Sequence, residues 1–266
     1  MIIRAVLESL RLKTTPNIAC HNTLGYLEPE ALSSLLNANV ELLEQDQVPL
    51  NSFNLPEMSG GVNPGDQKAI HQLISGLRPR VILEVGTHIG CSTINIALAM
   101  RRYRTAENDP PQLWTVDIYN VNDETSKPWV KHGSANSPQE NIRKIPDIAN
   151  YVTFVTQDSI SFLANTELSF DFIFLDGSHA AAQVYREIPL ALSKLRAGGF
   201  ILLHDYFPSL KPLWADSEVI RGPFLALQRL KKEGLQVCEL PFGVLPWPTK
   251  LNSNISSLCL LSRCAP

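Results

Sequence analysis

Residues 80–93 constrain the fold more than any other stretch: the apolar run Val81, Ile82, Leu83 ends in Glu84, turns through Gly86 and Gly90, and opens at once into a helical pattern. A strand, a glycine turn and a helix in immediate succession form half of a parallel β-α-β unit. The glycines let the backbone come close to a ligand, the helix start offers free N–H groups, and Glu84 adds an acceptor at the strand's carboxyl end. Dinucleotide-binding turns carry G-x-G-x-x-G, whereas here three residues separate Gly86 from Gly90 and an acid precedes the first glycine by two. The turn thus departs from the dinucleotide-binding pattern.

The same kind of segment recurs. Apolar runs at 80–85, 112–116, 151–155, 170–175 and 199–203 read as buried parallel strands, each followed by a helical or loop segment. Two more runs, 235–240 and 257–261, are joined by a connection carrying Pro241, Pro246 and Pro248, too irregular for a crossover helix, so they read as an antiparallel edge pair. The expected fold is α/β: a doubly wound, mostly parallel seven-stranded sheet with an antiparallel edge. A helical pattern at 28–45, broken afterwards by Pro49, Pro56, Gly60 and Gly61, marks residues 1–60 as a helical cap or oligomer arm ahead of a main domain at 61–266. Pro189 predicts a kink in the helix expected over 180–196.

In an open α/β sheet the functional side chains should stand where each apolar run stops. They do so here. The second strand ends in Asp117, suited to a pair of ribose hydroxyls; the third in Gln157, Asp158 and Ser159, suited to adenine; the fourth in Asp176, Gly177, Ser178 and His179; the fifth in His204, Asp205 and Tyr206. The net charge of −3, without any basic run, gives no nucleic-acid surface, and no apolar stretch reaches the length of a membrane span. Residues 1–13 lack the apolar core of a signal peptide, which makes a cytoplasmic location the expectation. The cysteines at 20, 91, 238, 259 and 264 lack C-x-x-C spacing and read as reduced thiols.

With these residues in view, the segment 63–207 resembles the catechol O-methyltransferase branch of the class I S-adenosylmethionine-dependent methyltransferases, together with related bacterial enzymes acting on natural products and sugars. The resemblance rests on E-x-G-x-x-x-G at 84–90 and on Asn63, Gly65, Asp66 and Lys68, which are similar to the N-x-G-D-x-K element that folds over the cofactor's methionine end. It implies a class I methyltransferase fold. It also implies that Glu84, the Gly86 backbone and Ser92 hold the amino-acid part of S-adenosylmethionine, that Asp117 holds the ribose and that 157–159 line the adenine. Asn63, Thr87, His88 and Gly90 complete that pocket, with His88 as a wall.

The resemblance further assigns Asp176 to a divalent metal that touches the acceptor oxygen, puts His179 in the place of the general base, and matches Asp205 to a second metal ligand. Where the branch has a carboxamide or carboxylate as third ligand, this chain offers His204 or Tyr206. An Asp176, His204, Asp205 set could take magnesium or another divalent metal, a histidine shifting preference away from magnesium. Metal dependence stays open. Each group also has a plainer reading: Asp176 as a helix cap, His179 as a solvent-facing residue of the first helical turn, His204 and Asp205 as a structural pair. The expected activity is methyl transfer to a hydroxyl of a small molecule, whether natural product, sugar or phenol. The alternatives are a nucleotide-dependent oxidoreductase or an inactive methyltransferase-like subunit; neither nucleic acid nor membrane is expected as partner, and a homo-oligomer would form through the N-terminal segment. The 119–146 stretch, with Trp129, reads as a lid or a loop, and Trp129, Phe207 and Trp214 as pocket walls or packing.

Overall fold

The computed structural model describes residues 26–38, 53, 55, 61–104, 110–212, 218–250 and 252–263. Seven strands form one sheet in the order β3-β2-β1-β4-β5-β7-β6. They are β1 Val81–Val85, β2 Gln112–Asp117, β3 Val152–Thr156, β4 Phe170–Leu175, β5 Leu195–Leu203, β6 Val237–Pro241 and β7 Cys259–Arg263. β1 to β5 pair in parallel, while β7 runs antiparallel to both β5 and β6. The strand order reverses between β1 and β4, and it is outside that switch point that an open sheet of this kind leaves a crevice.

Unbroken apolar strands are what a sheet covered on both faces requires. Ile82, Phe172, Phe174 and Leu202 point to one side, where they meet helices α2 (Pro64–Leu77) and α3 (Cys91–Tyr103). Leu83, Ile173, Leu175, Ile201 and Leu203 point to the other, against α6 (Ser159–Asn165), α7 (Ala181–Lys194) and α8 (Gly222–Lys232). The alternation is the period of two that a pleated strand imposes. Truncating any of these fully covered side chains to alanine should cost about 2–5 kcal/mol.

Several elements depart from the expectation. β5 begins four residues earlier than the apolar run, through Arg196, Gly198 and Gly199, with a register shift opposite Phe170 and Phe172. Gly199 permits this, since a Cβ there would lie 2.8 Å from the Asp171 carbonyl oxygen. Pro189 lies inside α7, where the kink is expected. Of the expected N-terminal cap, helix α1 (Pro29–Asn37) is described; it presses Leu35 onto Gly76 of α2, so closely that a Cβ on Gly76 would meet the leucine at 2.4 Å. The helical pattern beyond residue 38, and most of the proposed oligomer arm, lie outside the described residues.

The β6–β7 connection seats on the start of α2. Trp247 Nε1 donates to the Gly65 carbonyl at 2.9 Å, and Gly65 has no room for a Cβ, which would fall 2.5 Å from the Pro248 carbonyl oxygen. The 119–146 stretch is not open loop: it holds a short 3-10 turn (Pro128–His132) and the helices α4 (Pro138–Arg143) and α5 (Pro146–Ala149). Trp129 is buried with Ile89 and Cys91, so it packs behind the glycine turn and is not among the lining of the cavities at the strand ends. Phe207 is likewise buried, and Trp214 lies outside the described residues. Among the described residues no helix is long and apolar enough to cross a membrane.

Candidate active site

The turn from β1 to α3 is fixed by sterics and by carboxylates. Gly86 has φ +96°, and a Cβ on it would lie 2.3 Å from the Asp176 carbonyl oxygen, so only glycine lets the ends of β1 and β4 pass. Gly90, at φ +83°, starts α3 against Pro138. Asp117 reaches across from β2: its Oδ2 accepts the backbone N–H groups of Thr87 at 3.1 Å and His88 at 3.0 Å, and its Oδ1 accepts that of Tyr119 at 3.0 Å. A carboxylate has about four lone-pair sites, so three N–H groups leave room for about one ribose hydroxyl.

Glu84 is fully covered. Its Oε2 accepts the hydroxyls of Thr93 and Thr115, each at 2.6 Å. Burial pushes its carboxyl up to about 7, opposed by the hydroxyls of Ser92, Thr115 and Thr93 and reinforced by the charge of Asp176. The Oε1 atom makes no well-directed hydrogen bond, although the Ser92 hydroxyl is near enough to favour the ionised form. Glu84 thus stands behind the turn, and Thr87, Cys91 and Ser92 supply the surface in front of it.

Two adjoining cavities open at the strand ends, of about 320 Å³ and about 240 Å³, sharing Gly86, Asp117, Ile118 and Gly177. The smaller one is lined by Thr87, His88, Ser92, Asp176 and His179, the larger by Gln157, Asp158 and Ser159. Most of the residues expected to hold a cofactor therefore line one crevice. Asn63 is turned otherwise: its Oδ1 accepts the Asp66 N–H at 2.9 Å and its Nδ2 donates to the Asp66 carboxylate at 2.7 Å, which caps α2, while Gly61 and Val62 face the cavity. Asp158 caps α6 by accepting the Ser161 N–H at 2.9 Å. His88 packs edge-on against His132 at 4.3 Å between ring centres; burial, then its neighbour's charge, holds its imidazole below the usual range.

At the tips of β4 and β5 the charged groups meet. His179 Nδ1 lies 3.1 Å from Asp205 Oδ2 with the histidine side chain 49% exposed, so its other nitrogen is free to face the crevice. His204 is buried. Its Nδ1 lies 2.8 Å from Asp176 Oδ1 and 3.5 Å from Asp205 Oδ2, and its Nε2 lies 3.8 Å from Asp66 Oδ2. Burial alone would lower its pKa, but the carboxylates of Asp176 and Asp205 outweigh it and raise the imidazole well above its ordinary range. Burial is the largest influence on Asp205 and works against its ionised form, but the charge and hydrogen bond of His204 with the charges of His179 and Lys250 together outweigh it and hold that carboxyl below its usual value. Asp66 is in turn held by the hydroxyls of Ser256 at 2.6 Å and Ser257 at 3.1 Å.

Two backbone features position this cluster, and sequence reading passed over both. Asp205 sits at φ +52°, a left-handed conformation that a non-glycine residue adopts at a cost and that is common at functional sites. Gly222, at the start of α8, lies so close to the His179 carbonyl that a Cβ would fall 1.8 Å from its oxygen. The donor atoms of Asp176, His179 and Asp205 lie within 4.8 Å of one another, a set of two oxygens and one nitrogen that fits a divalent ion. His204, expected as the third ligand, is not in that set; its ring is buried between the carboxylates, whose charges favour its protonated form.

The sheet order and the crevice at its switch point define a class I methyltransferase fold. The chain resembles an O-methyltransferase from Bacillus cereus solved with S-adenosylhomocysteine (20% identity, TM-score 0.52, covering 89% of this chain and 96% of that one). It also resembles the S-adenosylhomocysteine-bound methyltransferase PaMTH1 of Podospora anserina (16%, 0.54, 87% and 88%) and the S-adenosylmethionine complex of the O-methyltransferase TomG from Streptomyces achromogenes (16%, 0.51, 91% and 100%). At these identities the likeness is one of fold. Residues 83–206, from β1 to the tip of β5, match the family described as "Methyltransferase domain". That match spans a little under half of the chain, and what the chain shares with these structures is the class I methyltransferase fold. No curated protein matches the chain in sequence.

Proposed function

We propose that the protein methylates a hydroxyl of a small molecule and that His179, oriented by Asp205, is the general base. The observation that carries this reading is the pairing of His179 Nδ1 with Asp205 at 3.1 Å beside the cavity that Asp176 and Ser92 also line. S-adenosylmethionine supplies a methyl carbon already activated by its sulfonium, so the protein's share is positioning and proton removal. A carboxylate on Nδ1 fixes the tautomer and favours the imidazolium that forms when Nε2 takes the acceptor's proton, as in other aspartate–histidine pairs. As the oxygen bonds to the methyl carbon and the carbon–sulfur bond breaks, the hydroxyl proton passes to His179 and the sulfonium becomes a neutral thioether.

A second reading shares the same atoms. A divalent ion held by Asp176, His179 and Asp205 would polarise the acceptor oxygen as a Lewis acid. Ligation would occupy a ring nitrogen of His179, so the two readings compete for one side chain. The charge of His204 beside both carboxylates favours the metal-free one. Turnover measured with a panel of phenolic and sugar hydroxyls separates them. His179→Ala should lower kcat by about 10²–10⁴-fold with S-adenosylhomocysteine affinity nearly unchanged, and a chelator should leave the parent enzyme active. Turnover abolished by chelation and restored by a divalent ion would establish the second reading.

A further inference from the structure

Glu187 is a buried carboxylate that neither the turn nor the catalytic cluster uses. It lies on α7, is 2% exposed, and has no cationic partner among the described residues. Its Oε1 accepts the Ser159 hydroxyl at 2.5 Å and the Gln183 side-chain amide at 3.2 Å, and the same amide donates to Ser159 at 3.0 Å. Gln183 and Glu187 are four residues apart and so share one face of the helix, and that face is turned to the first residue of α6.

A carboxylate in such a place is costly. Burial raises its pKa, the hydrogen bonds of Ser159 and Gln183 oppose this, and the charge of Asp158 adds to the rise. A buried acid without a cation is retained where something else accepts the cost, and the partner missing here is a hydrogen-bond donor. The cavity supplies the place for one. Ser159, Gln183 and Glu187 all line the larger cavity, together with the small residues Gly177 and Ser178, and Glu187 also borders the narrow space beside His179 and His204. Among the described residues, Glu187 Oε2 and Gln183 Oε1 have no hydrogen-bond partner, which leaves two acceptors presented together.

We propose that Glu187 and Gln183, braced by Ser159, read the amino edge of the cofactor's adenine, making α7 the element that sets nucleobase specificity. The proposal rests on the crevice being the S-adenosylmethionine site. An adenine 6-amino group donates two hydrogen bonds, matching the two free acceptors; a 6-oxo base offers an acceptor there and would face an unpaired carboxylate. Sites built to bond an N–H reject the analogue that lacks it far more strongly than apolar pockets reject a change of size.

Calorimetry with S-adenosylhomocysteine and S-inosylhomocysteine tests this without any methyl acceptor. The parent protein should prefer the adenine compound by at least about 100-fold. Glu187→Gln places a donor opposite the base, so it should weaken the adenine compound and tighten the inosine compound, narrowing the preference at least 10-fold. A structural role for Glu187 cannot produce tighter binding of the second ligand. Gln183→Leu, which leaves Glu187 in place, should weaken S-adenosylhomocysteine about 10-fold with a smaller effect on the other. Equal affinity of the parent for both compounds, or parallel losses in both variants, overturns the assignment to α7 while leaving the crevice as the cofactor site. A parent that binds neither compound overturns the cofactor reading itself.

Discussion

The crevice has two ends, and they treat charge in opposite ways. At the β1–α3 turn the carboxylates are spent on neutral donors of the same chain: Glu84 on the hydroxyls of Thr93 and Thr115, Asp117 on three backbone N–H groups. At the tips of β4 and β5 the carboxylates of Asp176 and Asp205 face imidazoles, one of them buried with its pKa raised by their charges. The first arrangement spends its charge within the turn; the second keeps charge close to where, in the proposed function, a proton moves. A cofactor that binds in one pose needs the former, and a displacement that releases a proton needs the latter.

Removing the buried cation should have the largest effect. His204→Ala leaves Asp66, Asp176 and Asp205 facing one another, and breaking a buried ion pair from one side costs about 3–5 kcal/mol. Denaturant unfolding of the variant should show that loss at neutral pH. A loss under about 1 kcal/mol would mean that water already screens the cluster, and the contrast between the two ends would fail.

The two ends should also respond to pH in separate windows. Glu84 is neutral-favouring in the folded state, with its pKa raised to about 7 from an ordinary value near 4.5, so the folded protein binds more protons between those limits. Stability from this group is complete below pH ~4.5, falls as pH rises to ~7, and is level above, a loss of about 3 kcal/mol. His204 has its pKa raised as a base, so its contribution is complete below ~6.5 and is lost only as pH climbs through the raised value, on the alkaline side. Glu84→Gln should flatten the first limb of the stability profile and His204→Gln the second. If each variant flattens both limbs, the ends are coupled and the division drawn here is wrong.

Much of the sheet was legible in the sequence because both of its faces are covered. That burial makes β1 and β4 strongly apolar, while β2 and the edge strand β3 are apolar enough to be recognised, and the strand ends announce themselves in Glu84, Asp117, Gln157 and Asp176. The start of β5 was not legible, because Arg196, Gly198 and Gly199 carry no strand signal and enter the sheet through a register shift set by Phe170 and Phe172. In the site, the choice between His179 and His204 as partner of the carboxylates could not be read from spacing. Neighbouring strand residues point to opposite faces, and which imidazole is buried depends on the left-handed turn at Asp205 and on Gly222 packing against His179. Gln183 and Glu187 look like any polar pair on an amphipathic helix until the fold brings Ser159 from α6 against them. Trp129 was read as a possible wall for the same reason: only the tertiary structure puts Ile89 and Cys91 over it.

A smaller effect is expected at Asp117. Its replacement by alanine removes the acceptor for the Thr87 and His88 N–H groups together with the one expected for the ribose, so S-adenosylhomocysteine binding should weaken by about 1–3 kcal/mol in calorimetry. Unchanged affinity would show that the turn holds its shape without this carboxylate and that the ribose is bound elsewhere.

The smallest effect belongs to Asp158, and it sharpens the comparison at its finest point. Its Oδ1 is spent on the Ser161 N–H at the start of α6, as the carboxylates of the turn are spent on theirs, yet it also lines the larger cavity. Loss of such a cap costs about 1 kcal/mol. Ser137 is the matched control, because it caps α4 through a complete capping box with Glu140 and does not line either cavity. If Asp158 only caps, Asp158→Ala and Ser137→Ala should lose similar stability and leave S-adenosylhomocysteine affinity alike. If it also contacts the cofactor, Asp158→Ala alone should weaken binding, and Asp158→Asn, which keeps an acceptor for the Ser161 N–H, should restore the stability without restoring the affinity. The asparagine variant carries the distinction, since a carboxamide can replace a carboxylate in a cap but not its charge toward a ligand's donors.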